Sequence, residues 1–438
     1  MNASDTVSRL LRERARLHPA RVALREKEFG IWQRVTWADY LGHVRRFCMG
    51  LVALGVARGD KVAILSENRR EWLYAELGAM SAGAVGVGVY PTSPANEVRF
   101  VVDHSEAVVV VAEDQEQVDK ILAVDLPRVR QIIVMDTRGL RGYRDARLRS
   151  FAEVEALGAR ADAESPQRFD ELVSATRAED VAFLIYTSGT TGFPKGAMIS
   201  HRNILAQAAA AAQATGIVGS DSVVSYLPLC HVAEQIFSVF FPLTLGMTVN
   251  FAENVRTVQE DLREIAPTVF LGVPRIWEKL QASILVKIHE TGPLRRWVFE
   301  GAMARGSRRT EKRLAKQRLG PVDRAAGALD HLLVLGALQN FVGLRKARIT
   351  FSAAAAISPE VLLFFHAMGI PIREGYGMTE CCGFSFVQRV GDIRLGTVGT
   401  PIPGLEFRLA EDNELLKRGE GVFLGYYKDP KSTAETIR

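Results

Sequence analysis

Apolar residues along this chain come in short, nearly continuous blocks separated by longer segments of helical period. Lys61–Ser66 (KVAILS) is followed by the amphipathic RREWLYAELGAMSAG, and AVGVGVYP precedes the helical NEVRFVVDHS, which leads to AVVVVA and then to VRQIIVMD. Strands buried on both faces read as continuous apolar runs, and their alternation with amphipathic helices predicts a parallel α/β architecture. A second series follows: VAFLIY, SVVSYLPL, TVNFAE, a helix over Val255–Ile265, TVFLGV and, after a long helical stretch, ARITFSAA. Beyond Gly391 the runs become short and alternating, with Asp412–Asn413 placed as a hairpin turn because both residues tolerate positive φ. The pattern predicts two α/β subdomains with mainly parallel sheets, over 1–180 and 181–390, and a small β-barrel-like subdomain over 391–438.

A length of 438 residues fits this division, since domains run to about 150 residues each. The 55 basic and 50 acidic residues leave a net charge of +5, so the chain is no polyelectrolyte and no nucleic-acid partner is implied. Cys48, Cys230, Cys381 and Cys382 lack metal-ligand spacing, and the adjacent pair suits neither a disulfide framework nor a zinc knuckle. The charged, amphipathic N-terminus has no signal-peptide core, and no run reaches the roughly eighteen apolar residues of a membrane span. These features predict a cytoplasmic protein, peripheral to a membrane at most.

One segment stands apart. Residues 287–318 hold ten Lys/Arg against three Asp/Glu, a net of +7. Arg305, Arg308, Arg309, Lys312, Arg313 and Lys316 fall on one helical face, which is either a solvated charged surface or a contact for anionic membrane.

Three stretches carry candidate chemistry. YTSGTTGFPKG, Tyr186–Gly196, follows the buried run Val181–Tyr186. Its glycines free backbone N–H groups for an anion, Thr187, Ser188, Thr190 and Thr191 add hydroxyl donors, and Lys195 adds a mobile positive charge. The spacing is not that of the usual nucleotide P-loop; the alternative is an ordinary polar loop before a helix that begins near Ser200. REGYGMTE, Arg373–Glu380, follows the short strand GIPI, at the kind of strand end where open α/β sheets bind ligands. Gly375 and Gly377 flank Tyr376 and let a flat ring lie against the backbone, and Glu380 suits a cation such as Mg²⁺, which combines one or two carboxylates with phosphate oxygens and water. Without its neighbours this stretch reads equally well as a helix N-terminus with an acidic first turn. LPLCHVAE, Leu227–Glu234, sets His231 ahead of the apolar IFSVFFPLTLG, where a lone histidine is more often a satisfied core residue than a catalyst.

In this order the three stretches resemble the motifs of the adenylate-forming enzymes, the superfamily of acyl-CoA synthetases, luciferases and peptide-synthetase adenylation domains. YTSGTTGFPKG is similar to the phosphate loop of that family, LPLCHVAE to its substrate gate and YGMTE to its nucleotide and metal motif. RGEGVFLGYY resembles the segment shortly before the family's hinge, and ILSENRREW extends the likeness toward the start of the chain. TVFLGVPRIWEKL and the helical insert after it resemble the long-chain fatty acyl-CoA synthetase branch. The resemblance implies the fold of the large N-terminal domain of these enzymes and a reaction in two halves. A carboxylate attacks the α-phosphate of ATP to give acyl-AMP and pyrophosphate, and the CoA thiol then attacks the acyl carbon and releases AMP. It also implies roles: Thr187 and Glu380 for Mg²⁺, and Ser188, Gly189, Thr190, Thr191, Gly192 and Lys195 for the β- and γ-phosphates. Thr379 would meet the α-phosphate, while Glu374, Gly375, Tyr376, Gly377 and Met378, with Ala354 and Ala355, would frame the adenine. His231 would lie near the acyl carboxylate, with Phe237, Phe241, Gly272, Val273 and Pro274 lining an acyl tunnel.

Two departures qualify this. SAAAAISPE has alanines, Ala353 and Ala356 among them, where the family shows glycine and proline among its small residues. The 438 residues end at STAETIR, before the hinge aspartate and the lysine-bearing C-terminal domain of family members, so poor turnover is expected of these residues alone. The expected activity is a ligase for medium-to-long fatty acids; a non-catalytic nucleotide- or acyl-binding module, or another acid ligase of the superfamily, is the alternative. A peptide-synthetase role fits less well, because no aspartate follows the His231 motif to pair a substrate amine. Oligomeric state, a homodimer included, is left open.

Overall fold

The computed structural model describes residues 5–187, 194–253 and 257–437. A seven-stranded sheet forms its first layer, in the order Leu148–Ser150, Gln131–Val134, Ala107–Ala112, Lys61–Leu65, Val85–Val89, Val181–Thr187 and Lys195–Ser200. Neighbours pair in parallel except the last two, which form an antiparallel hairpin. Lys61–Leu65, Val85–Val89 and Ala107–Ala112 are buried almost throughout, the reason their sequences read as unbroken apolar runs.

A five-stranded sheet carries the second series: Val269–Gly272, Ile349–Ser352 and Ile372–Met378 in parallel, then the antiparallel Gly383–Val387 and Thr400–Pro401. A third sheet of four strands joins Ser222–Ser225 and Thr248–Phe251 to Val22–Glu28 and Ile31–Thr36.

The sheets do not respect a boundary at 180. Val181–Ser200 completes the first sheet, because Val181–Thr187 finds its parallel partner in Val85–Val89, and the N-terminal strands pair with residues 248–251. Residues 391–438 form no barrel among the described residues. Glu406–Leu409 and Leu415–Arg418 make a two-stranded ribbon turned at Asn413 (φ 65°), while Thr400–Pro401 is drawn into the five-stranded sheet. The helix expected over Val255–Ile265 is described from Val258, residues 254–256 lying outside the described set.

After Gly272 come three helices, Pro274–His289, Pro293–Leu314 and Pro321–Asp330, each opened by a proline whose missing N–H is no loss in a first turn. The basic face lies on the second of them, and much of it is spoken for. Arg305 and Arg309 both bond the buried carboxylate of Asp330, the latter at 2.8 Å. Lys312 reaches Asp323 at 2.7 Å and Lys316 reaches Asp392 at 2.8 Å. The face read as solvated charge or as a membrane contact is therefore largely an intramolecular seam. Its acidic partners come from separate segments, which helical spacing along one segment cannot reveal.

Candidate active site

The run Val181–Thr187 is buried from Ala182 to Tyr186 and ends at Thr187. The chain does not go straight into a helix: it returns as the strand Lys195–Ser200, with Lys195 directly across from Thr187. Ser200 then caps the helix His201–Thr215 through a capping box with Asn203. The strands Val181–Thr187 and Lys195–Ser200 thus pair antiparallel, and the motif contributes Tyr186, Thr187, Lys195 and Gly196 to them. Ser188, Gly189, Thr190, Thr191 and Gly192 lie outside the described residues.

Lys195 and Glu380, distant in sequence, meet on one tyrosine. The Tyr426 hydroxyl donates to Glu380 Oε1 at 2.6 Å, and the Lys195 ammonium lies 5.3 Å from the centre of the Tyr426 ring. Lys195 Nζ also donates to Ser432 Oγ at 2.7 Å, on the short helix Pro430–Thr436. Burial raises the Tyr426 phenol's pKa further above neutrality, and the Glu380 carboxylate adds to the effect, so the hydroxyl stays a donor. Tyr426 is held by its own backbone: Phe423 N donates to Glu380 O, Leu424 N to Met198 O and Tyr427 N to Gly196 O, all within 2.8–3.0 Å. The segment Phe423–Tyr427 therefore lies along the Lys195–Ser200 strand. Gly425, at φ 128°, passes so close to Thr433 that a Cβ would come within 2.6 Å of its methyl.

The strand Ile372–Met378 runs through REGYGM, and Thr379–Cys381 is a single 3₁₀ turn rather than the start of a helix. Gly375 and Gly377 answer first to the protein's own backbone. A Cβ on Gly377 would lie 1.8 Å from the Gly383 carbonyl, and one on Gly375 would lie 2.6 Å from the Phe384 ring. Tyr376 between them stays 37% exposed, with the Lys417 ammonium 5.1 Å above its ring. Register pairs Ser352 with Glu374, so the exposed loop containing Ala354 and Ala355 leaves its strand beside this stretch. Ala354 sits at φ 75°, a left-handed conformation that costs an L-residue roughly 1–2 kcal/mol. Glu374 is buried, burial raises its pKa, and its Oε2 has no hydrogen-bond partner among the described residues. Thr379 is buried at the turn, and Met378 Sδ accepts from Lys417 Nζ.

His231 opens the short helix Val232–Gln235, where its Nδ1 accepts from Ala233 N at 3.1 Å. Burial lowers the pKa of the imidazole, which is therefore neutral at pH 7 and, with Nδ1 accepting, carries its proton on Nε2. Its loop is clamped from the first sheet. Asn68 Nδ2 donates to Leu227 O at 2.7 Å, and Asn68 Oδ1 accepts from Leu229 N at 3.1 Å. Behind the loop two buried carboxyls have raised pKa values. Burial brings Glu76 to about 8, with Gln235 and Trp72 donating to it, and Glu234 to about 7.

Phe237 and Phe241 are 3% and 0% exposed and pack edge-to-face at 5.4 Å. Phe237 also meets Phe351 and Phe384, on the strand that precedes the Ala354–Ala355 loop and on the one paired antiparallel with Ile372–Met378. At the Gly272–Pro274 turn, Trp277 Nε1 donates to Gly272 O at 3.0 Å, and its ring fills the space where a Cβ on Gly272 would stand. Val273 caps the helix that Pro274 begins. In this conformation these side chains are core.

Tyr426, Ser432 and Asn68 escaped the sequence reading as individual residues. The segments RGEGVFLGYY and ILSENRREW were visible, but nothing in their spacing says which side chain turns toward Lys195 or toward the His231 loop.

A family model for AMP-binding enzymes matches residues 11–427. The long-chain-fatty-acid–CoA ligase ACSBG2 of Rattus norvegicus is 32% identical over 99% of this chain and 66% of its own length. The long-chain-fatty-acid–CoA ligase FadD15 of Mycobacterium tuberculosis is 31% identical over 99% of this chain and 70% of its own. The chain thus spans about two thirds of the length of these curated relatives. Among solved structures, the N-terminal domain of FACL13 from Mycobacterium tuberculosis superposes with a TM-score of 0.69 at 19% identity, covering 99% of this chain and 94% of that one. An anthranilate CoA ligase in complex with anthranoyl-AMP gives 0.71 at 20%, covering 100% of this chain and 74% of that one. At such identities the likeness is one of fold.

Proposed function

Because the chain belongs to the AMP-binding enzyme family, we propose that it is the large ATP- and acyl-binding part of a ligase that joins a medium-to-long fatty acid to CoA through acyl-AMP. The observation that carries this reading is the meeting of Lys195 and Glu380 on Tyr426, where Lys195 lies directly across from Thr187. A mobile cation and a carboxylate side by side suit a triphosphate that arrives with its own metal. Neither half-reaction needs a protein nucleophile, so the chain's task is to hold the carboxylate in line and to neutralise charge.

In this reading Lys195 leaves Ser432 to follow the β- and γ-phosphates, and Tyr376 with the Ala354–Ala355 loop receives the adenine. Thr187 and Glu380 would hold Mg²⁺. The donor set fits: one carboxylate and one hydroxyl, with no cluster of three acidic, His or Cys ligands among the described residues, matches an ion that takes most of its oxygens from phosphate and water. When bound, Mg²⁺ would offset phosphate charge. Neutral His231 can offer its Nε2 proton to the acid's oxygen without trapping it in an ion pair. Acyl entry would require Phe237 or Trp277 to turn aside, since both are packed here. The names of the relatives favour a long-chain acid over an aromatic or amino acid.

Assayed as these 438 residues, the chain should bind ATP·Mg²⁺ and turn over slowly. The test is exchange of labelled pyrophosphate into ATP. Slow exchange that depends on a fatty acid and is absent with amino acids supports the reading. Exchange driven by amino acids, or no ATP binding at all, overturns it.

A further inference from the structure

The helical insert carries an apolar ridge that no other described residue covers. On the helix Pro293–Leu314, Leu294 and Trp297 are 72% and 71% exposed. Beyond the helix Pro321–Asp330, Leu332 and Leu333 are 79% and 62% exposed, and Val322 and Leu329 continue the stripe at helical spacing. The two helices run antiparallel, because Arg305 pairs with Asp330 and Lys312 with Asp323. Leu332 and Leu333, just past Asp330, therefore lie toward the Trp297 end. A groove of about 640 Å³ opens between this helix and the preceding one, its lining including Leu285, Val286, Arg296 and Phe299. Exposed apolar groups on this scale mark an interaction site.

Charge indicates the partner. Residues 287–318 keep an excess of cations even after Arg305, Arg309, Lys312 and Lys316 have found carboxylates within the chain. Arg295, Arg308 and Arg324 are exposed, with Glu290 and Glu300 among them. A second copy seated on the ridge would bring like charges together, whereas anionic headgroups would complement them. A tryptophan and leucines beside arginines are what a surface-bound protein buries at the headgroup boundary.

We propose that this ridge, centred on Trp297 and Leu294 with Leu332 and Leu333, seats the protein on an anionic lipid bilayer. The contact moves from the basic face expected from the sequence to the apolar ridge beside it, and it stands whether or not the ligase reading holds.

Trp297 supplies its own probe. Trp37, Trp72 and Trp277 are fully buried, and Trp32 donates to Glu264 at 3.0 Å. Adding vesicles of phosphatidylcholine mixed with phosphatidylglycerol should shift the tryptophan emission to the blue and carry the chain into the vesicle pellet; phosphatidylcholine alone should do so far less. Trp297→Phe should keep the pelleting and lose the shift. Leu294→Ser with Trp297→Ser should lower binding at least about tenfold, since exposed side chains leave the fold intact and far-ultraviolet circular dichroism can verify it. Pelleting that the double substitution leaves unchanged overturns the proposal. So does a blue shift that grows with protein concentration without lipid, which would assign the ridge to contact between copies.

Discussion

The Lys195 cluster and the His231 loop are held in place by opposite means. Lys195, across from Thr187 at the end of its strand, and Glu380 are strapped by a distant segment through a few contacts, chiefly those of Tyr426 and Ser432. The His231 loop is fixed from behind by half-buried Asn68 and by buried Glu234 and Gln235, the last held in turn by buried Glu76. The first arrangement could exchange its partners for the proposed triphosphate without disturbing the core. The second cannot move without leaving buried polar groups unpaired, which costs about 1–3 kcal/mol each. On the proposed reading, the fold leaves slack where charge would follow a reacting phosphate and none where a fatty acid's carboxylate would be aimed.

Substitutions at the two places should therefore fail differently. The largest effect is expected at the mobile end: Lys195→Ala should leave stability near wild type and lower adenylation by roughly 10²–10³, the range for losing one preorganised charge contact. Glu380→Ala should also weaken nucleotide binding, but its defect alone should shrink as Mg²⁺ rises. Titration calorimetry at several Mg²⁺ concentrations separates them, and equal insensitivity in both would remove the metal role from Glu380.

At the fixed end, Asn68→Ala should cost about 2–4 kcal/mol in denaturant unfolding, because two backbone groups of the His231 loop lose their partner. Adenylation should fall with it while ATP affinity holds. A variant of wild-type stability would mean that the clamp is decorative.

The smallest effect expected is a slope. An unfolded glutamate ionises near 4.5, whereas Glu76 in the fold is raised to about 8 by burial. Between those values the folded state binds more protons than the unfolded one, so this group's contribution is complete below about pH 4.5 and is lost as pH rises toward 8. Glu234, raised to about 7, acts in the same direction. Glu76→Gln should flatten the fall in Tm between pH 5 and 8, a window set by the folded and unfolded values of this carboxyl. An unchanged slope would place the titration elsewhere.

Legibility in the sequence followed the same division. Buried parallel strands announce themselves as apolar runs, so KVAILS, AVVVVA and TVFLGV became strands where expected. The return strand Lys195–Ser200 did not, because KGAMIS has no long apolar run and its identity depends on pairing with Val181–Thr187. The motif stretches were legible because their composition is unusual, but their mutual contacts were not. Lys195 meets Glu380 only through Tyr426, which the chain delivers by laying Phe423–Tyr427 along the hairpin edge. The basic face was read correctly as a helical face and wrongly as free charge, since Asp330 and Asp392 lie outside its period.

The central claim, a ligase for medium-to-long fatty acids, is tested most directly by measuring binding of non-hydrolysable acyl-AMP analogues from C4 to C18 to this chain. Each buried methylene is worth about 0.8 kcal/mol, so affinity should climb several-fold per two carbons and then level off when the acyl path is full. A flat response from C4 to C18, or tighter binding of aromatic or aminoacyl adenylates, would contradict the fatty-acid assignment and return Phe237, Phe241 and the Gly272–Pro274 turn to the core for good.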